Sequence, residues 1–304
     1  MKLLTQVLSG VPEFAQLLAA MEGGRCPAAL SGLSAVHRAH FASAIRGLTQ
    51  RTVVMICADE SESERMAKDL SFLTETPVPV LSARSFTFHN AATVSRQWEH
   101  RRLATLRALM EEEIPVLVCT VESLMQRTLT PQALQSSCVK LEIGQVRDLN
   151  ELAETLTAAG YTRCDQVEGV GQFALRGGIL DIYSPAADRP FRCEFFGDEL
   201  DTMGYFDPDT QRRTENADSV VVLPVGETQP RLHPDGIAGL CKDIEKLIAR
   251  QKRRKNINEK LLKTLTADLE KYENGMSHPA SDRYMALIYP EFATAMDFIP
   301  ENAI

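Results

Sequence analysis

A chain of 304 residues with 44% hydrophobic and 24% charged residues falls in the range of folded globular proteins, which excludes disordered, collagen-like and purely coiled-coil readings. At roughly 100–200 residues per domain the length predicts two or three domains, and 33 Lys+Arg against 41 Asp+Glu, a net charge of -8, argues against a surface that tracks nucleic acid throughout while allowing a local basic patch. The first elements follow an α/β rhythm. Arg51–Cys57 predicts a buried strand, Glu60–Leu73 an amphipathic helix and Val78–Leu81 a second strand. Ser95–Glu113 predicts a helix on the spacing of Trp98, Leu103, Leu106 and Leu109, and Ile114–Cys119 a third strand. Apolar strands alternating with helices imply a parallel sheet covered on both faces, so residues 1–125 are expected to begin an α/β domain.

From about Leu129 the pattern changes. A helix is expected at Asp148–Ala159, with Asp148 as N-cap and Gly160 as C-cap. Closely spaced strands follow at Gly171–Leu175, Gly178–Tyr183, Phe191–Phe196 and Glu199–Phe206, joined by Gly-Gly, Pro-rich and Gly-Asp turns, and Ser219–Val225 is expected to close this antiparallel meander. Residues 126–226 therefore predict a separate α+β domain. Asp235–Tyr272 carries helical periodicity with the charged block Arg250–Lys255 inside it, and Tyr284–Pro300 is apolar and aromatic, with Ile304 at the start of a further strand. Residues 227–304 are expected to hold this helical segment and a return to the first domain.

Most familiar chemistry is missing. Seven cysteines, Cys26, Cys57, Cys119, Cys138, Cys164, Cys193 and Cys241, are odd in number and lack zinc-site spacing, which predicts reduced thiols. With no leader-like start and no run near the ~20 apolar residues of a membrane span, the expected location is the cytoplasm, with no membrane partner. A phosphate-binding loop needs a glycine-rich turn followed by Gly-Lys-Ser/Thr. The only candidate, Ala29–Ala39, has one glycine and no lysine, and Gly169-Val-Gly171 lies inside the β region. No Gly-x-Ser-x-Gly occurs. Of six histidines, His37 and His40 share a helix face, a spacing more typical of surface histidines than of a metal site. Asp165, Asp181, Asp198 and Asp201 surround turns, where carboxylates usually cap or solvate. Arg250–Lys255 reads as a solvated helix face or connector in preference to a polyanion site. Arg176 beside its Gly-Gly turn and Arg192 one strand on admit two readings: anchors of a protein–protein contact, with Phe195 or Phe196 exposed between them, or arginines tied to Asp181, Glu194 or Asp198.

Three blocks, Phe173–Pro185 (FALRGGILDIYSP), Phe191–Asp201 (FRCEFFGDELD) and Phe206–Arg212 (FDPDTQR), resemble the second domain of the transcription-repair coupling factors, the Mfd family, and more distantly that of the excision-repair protein UvrB. Ser95–Leu109, Val116–Arg127 and Tyr284–Pro300 are similar to the first domain of that family, and Ser31–Arg38 stands where UvrB has an intact ATP loop. The resemblance implies a degenerate helicase-like, P-loop type parallel-sheet domain with an inserted α+β domain containing an antiparallel sheet. It further implies a non-catalytic adaptor that recruits UvrA through Arg176, Arg192 and Phe196. This chain is expected to use no cofactor. RNA polymerase, double-stranded DNA, ATP and magnesium are expected for other parts of a longer protein carrying a DNA-translocating motor. The competing expectations are a UvrB-like or helicase-like ATP-dependent repair enzyme and a direct DNA-binding module using Arg250–Lys255 with Arg212 and Arg213.

Overall fold

A computed structural model describes residues 7, 8, 10–84, 97–276 and 280–304. Ser95, named above, lies outside them, as do His89 and His278 of the six histidines. By contact the chain divides into two compact units, one of Met1–Ser85, Thr105–Gln126 and Thr294–Ile304, the other of Phe86–Ala104 and Arg127–Ala293. Among the described residues no helix is long and apolar enough to cross a membrane.

The first unit runs α1 (Pro12–Glu22), α2 (Ala35–Thr49), β1 (Val53–Cys57), α3 (Glu60–Thr74), β2 (Val80–Leu81), the end of α4 (Gln97–Met110) from Thr105, β3 (Val116–Thr120) and α5 (Val121–Met125). Helix starts follow local chemistry: the side chains of Ser34, Asp59 and Thr120 accept from the backbone N–H groups of His37, Glu62 and Ser123. The described strands form a parallel sheet in the order β1-β3-β2, with Val53 opposite Val116 and Val80 opposite Val118. The central strand β3 is buried throughout. Against the sheet pack Phe14, Ala42 and Ile45 from the first two helices and Met66, Ala67 and Leu70 from α3, the last three at the i, i+1, i+4 spacing of one helix face.

The expectation that both faces are covered along every strand fails at β1. This strand lies at an edge of the described sheet, and Ile56 is 55% exposed. Ile304 donates from its N–H to the Thr52 carbonyl at 2.8 Å and accepts from the Val54 N–H at 2.8 Å, the pattern of a parallel bridge on that edge. The strand expected to start at Ile304 is thus met by one bridged residue.

The second unit continues with β4 (Arg127–Thr128), α6 (Pro131–Ser137), β5 (Val139–Glu142), α7 (Leu149–Ala158), β6 (Thr162–Arg163), β7 (Gln172–Arg176), β8 (Ile179–Ile182), β9 (Phe191–Phe196), β10 (Glu199–Phe206), β11 (Arg213–Asn216), β12 (Ser219–Val222), α8 (Gly236–Lys252) and α9 (Glu259–Glu273). Its described residues form a six-stranded sheet, β11-β10-β9-β8-β7-β6, antiparallel except for the parallel β6–β7 pair. One face buries Phe173, Leu180, Ile182, Phe191, Cys193, Leu200 and Met203 under Leu152 and Leu156 of α7 and Leu141, Val220 and Val222 of a β5–β12 pair. Burial pushes the Cys193 thiol up to about 12, so it stays protonated and unreactive.

Two expectations are corrected here. Ser219–Val222 does not close the meander; it pairs with β5 in a separate two-stranded sheet. The outer strand of the meander is instead β11, exposed at every residue and so without an apolar pattern to announce it. Helix α7 ends with Ala159 as its C-cap, while Gly160 follows at φ +93°, one residue beyond, where a left-handed glycine completes the turn. The helical stretch Asp235–Tyr272 is two packed helices. Asn258 caps α9 by accepting from the Leu261 N–H at 3.0 Å, and the short connection of residues 253–258 makes the helices antiparallel neighbours.

Candidate functional site

Strand alternation places the site. On β9, Phe191, Cys193 and Phe195 turn to the core, while Arg192, Glu194 and Phe196 turn to the opposite face. Register brings Asp181 of β8 directly opposite Arg192 and opposite Ala174 of β7, which leaves Arg176 as its diagonal neighbour. Asp181 is fully buried and accepts from both arginines: Arg176 Nη2 at 2.7 Å, Arg192 Nε at 2.7 Å and Arg192 Nη2 at 2.9 Å. Arg192 is thus held bidentate, and the hydrogen bond to Asp181 raises its already high pKa. Its guanidinium lies 4.8 Å from the centroid of the Phe206 ring and donates to the Gln211 side chain at 3.4 Å. Arg176 also donates to the Asp165 carbonyl at 3.2 Å.

Two guanidinium groups around one carboxylate leave one net positive charge, and exposure decides which side chain presents it. The Arg176 side chain is 46% exposed and that of Arg192 19%, so Arg176 is the accessible cation and Arg192 its buttress. Of the two adjacent phenylalanines, Phe195 packs against the core and Phe196 is 86% exposed. Phe196 opens the two-residue Gly197-Asp198 loop of the β9–β10 hairpin, with Gly197 at φ +63°. The Gly-Gly turn beside Arg176 divides its work. Gly177 adopts φ +60°, and a Cβ on Gly178 would lie 2.7 Å from the Phe195 carbonyl oxygen, so the turn can rest on β9 only with glycine there.

Of the two readings of the arginines, the tie to Asp181 is what the structure shows, and Arg176 remains half-exposed on the outer face. Asp198 takes no part, and Glu194 instead meets Arg213 at 3.7 Å. Sequence reasoning missed Gln211, which reaches this face because it adopts φ +59° after a turn in which the Thr210 N–H donates to Asp207 at 2.7 Å. The Asp-Pro-Asp-Thr run was the available signal.

The remaining sequence candidates lie apart from this face. The Ala29–Ala39 stretch joins α1 to α2, and no described strand precedes it, whereas a phosphate loop follows a strand. His37 is exposed, His40 half-buried, and no described cluster of His, Cys, Asp and Glu has metal-binding geometry. At the carboxyl ends of β1 and β3, where open α/β sheets bind ligands, the first unit has a cleft of about 550 Å³ lined by Asp59, Glu60, Glu122 and Arg84 among others. Glu60 there accepts from the Ala83 N–H. Three carboxylates against one guanidinium suit a polyphosphate poorly.

The sheet-bearing segment, residues 139–227, from the first residue of β5 to just beyond β12, matches the UvrB interaction domain family. Over most of its length the chain is a relative of the transcription-repair-coupling factors. It is 26% identical to that of Bacillus subtilis over 299 residues, 96% of this chain and 25% of that protein. It is 29% identical to the Myxococcus xanthus factor over 232 residues, covering 72% and 19%, and 31% identical to the Escherichia coli factor over 175 residues, covering 58% and 15%. The chain thus spans about a quarter or less of the length of these relatives.

Proposed function

We propose that this chain is a non-catalytic adaptor that recruits UvrA, and that within a transcription-repair coupling factor it links RNA polymerase stalled at damage to nucleotide excision repair. The first unit is read as a degenerate helicase-like domain, supported by a candidate loop without Lys or a preceding described strand and by the carboxylate-rich cleft. ATP, magnesium, RNA polymerase and the duplex DNA that the motor tracks belong, on this reading, to the translocase portion of the longer protein.

The observation that carries the proposal is the pairing of an exposed Phe196 with a half-exposed Arg176 on one rigid sheet face. An aromatic anchor beside an arginine is the composition of an interface hot spot. Arg176 reaches a carboxylate on UvrA, Phe196 fills an apolar recess, and Arg192, four-fifths buried, fixes the geometry through Asp181. Truncating one such anchor costs ~2–4 kcal/mol of binding, roughly 30- to 1000-fold in affinity. Calorimetric titration of UvrA with the Arg176→Ala and Phe196→Ala variants tests this. Both fold normally, since Asp181 keeps Arg192 and Phe196 is solvent-facing, and both bind UvrA weakly; wild-type affinity in both sinks the assignment. The competing ATP-dependent enzyme reading requires saturable nucleotide binding by this chain, and titration with ATP is expected to give none.

A further inference from the structure

We propose that the tip of the α8–α9 helical hairpin is a contact for the phosphate backbone of duplex DNA. Arg250–Lys255 supplies five cations, and Lys260 and Lys263 add two, against the single carboxylate Glu259, in a chain whose net charge is -8. All seven cations are exposed, as is every residue from Lys252 to Lys260. None of the seven takes part in an ion pair among the described residues.

Folding accounts for only part of this cluster. Arg250 and Lys252 lie in the last turn of α8, where cations offset the negative end of the helix. Lys260 lies in the first turn of α9, where a cation opposes the positive end, and Arg253, Arg254 and Lys255 follow one another in the connection without a carboxylate between them. Like charges so placed destabilise the free protein. Farther from the tip the two helices bury apolar residues, Leu240 and Ile244 on α8 and Leu265 and Tyr272 on α9. A ligand that supplies dense negative charge removes the repulsion, and the N-terminal N–H groups of α9 add to the attraction.

The surroundings distinguish the ligand. Beyond the cations the tip offers Asn256, Asn258 and one half-exposed aliphatic residue, Ile257. It has no aromatic side chain on which unpaired bases would stack and no apolar anchor of the kind that carries a protein interface. Unpaired point charges on a convex tip match the regular phosphates of a duplex, read without sequence preference. The acidic remainder of the chain does not forbid this, because at physiological ionic strength charges beyond ~8 Å are largely screened; it confines DNA to the tip. This contact uses residues separate from Arg176 and Phe196 and does not depend on the UvrA reading.

The test is fluorescence anisotropy of the full 304-residue chain with a labelled duplex of arbitrary sequence. With about four phosphates engaged, affinity falls roughly 100-fold between 50 and 200 mM salt. The combined variant Arg253→Gln, Arg254→Gln, Lys255→Gln, Lys260→Gln loses at least about tenfold at the low-salt end, whereas Arg253→Lys with Arg254→Lys keeps wild-type binding because only charge is read. Phe196→Ala also keeps it, which separates this contact from the UvrA face. Undiminished binding by the four-site variant, no binding by the wild type at low salt, or equal competition by polyglutamate at matched charge would overturn the proposal, the last by pointing to an acidic protein.

Discussion

Asp181→Asn removes the charge that joins the two arginines while keeping side-chain shape. In the native protein the fully buried carboxylate accepts three charge-assisted hydrogen bonds of 2.7–2.9 Å. Removing one partner of a fully buried ion pair costs ~3–5 kcal/mol, because the other charge stays buried and unpaired. The Arg176 side chain, 46% exposed, turns to water, but Arg192, 19% exposed, keeps its guanidinium beside Phe206 and Gln211 with only weak substitutes. The expected loss is therefore about 2–4 kcal/mol. For a unit of this size that lowers the melting temperature by about 5–12 °C, read by calorimetry on the intact chain. On the proposed UvrA reading the same variant is also expected to weaken UvrA binding although Asp181 itself is inaccessible, since Arg176 loses its orientation. A melting temperature within about 2 °C of wild type would refute the view that Asp181 organises this face.

Two further outcomes follow from other charged groups of the second unit. Arg102 and Glu227 form a buried pair at 3.2 Å, so Arg102→Met alone is expected to cost about 3–5 kcal/mol in denaturant unfolding, and a loss under 1 kcal/mol would show the pair to be dispensable. Hydrogen bonds from Lys246 at 2.7 Å and His233 at 3.3 Å hold the Asp243 carboxyl below the usual carboxylate range. A depressed folded pKa gives stability that is full above the unfolded value and lost as pH falls through the folded one. The wild-type advantage over Asp243→Asn in melting temperature should accordingly be present at neutral pH and vanish on acidification below the carboxylate range; an advantage independent of pH contradicts the assignment.

What was legible in the sequence is what short-range chemistry determines. Asp148 caps its helix as expected because its side chain needs only the N–H groups of Asn150 and Glu151, and the Phe191–Phe196 and Glu199–Phe206 strands appear at their expected bounds because a glycine-first loop sets their register. Alternation also placed one of Phe195 and Phe196 in solvent. The β5–β12 pair was hidden because Val139–Glu142 is four residues long and its partner lies some eighty residues on; no local pattern encodes such a meeting. The break after Lys252 falls in the charged block Arg250–Lys255, which holds no apolar residue and is open to a connector reading, and Asn258 marks the new start. At the site, residue types were readable but burial was not. Asp181 faces the outer side of the sheet and should be wet by alternation alone, yet two guanidinium groups close over it.

That closure bears on how one chain of net charge -8 can present arginine for two different purposes. Around Asp181 the cations are bound in advance: their hydrogen bonds are directed, Arg192 is largely removed from solvent, and about one unit of charge remains for a partner. A site built this way gains by geometry and a neighbouring aromatic, so its affinity responds to shape and only weakly to salt. At the α8–α9 tip the cations are exposed and have no such partner among the described residues, so affinity there comes from counterion release and falls steeply with salt. Arginine content distinguishes neither case. The deciding feature is whether a buried carboxylate stands behind the guanidinium, and in this chain it does so on the sheet face and not on the hairpin.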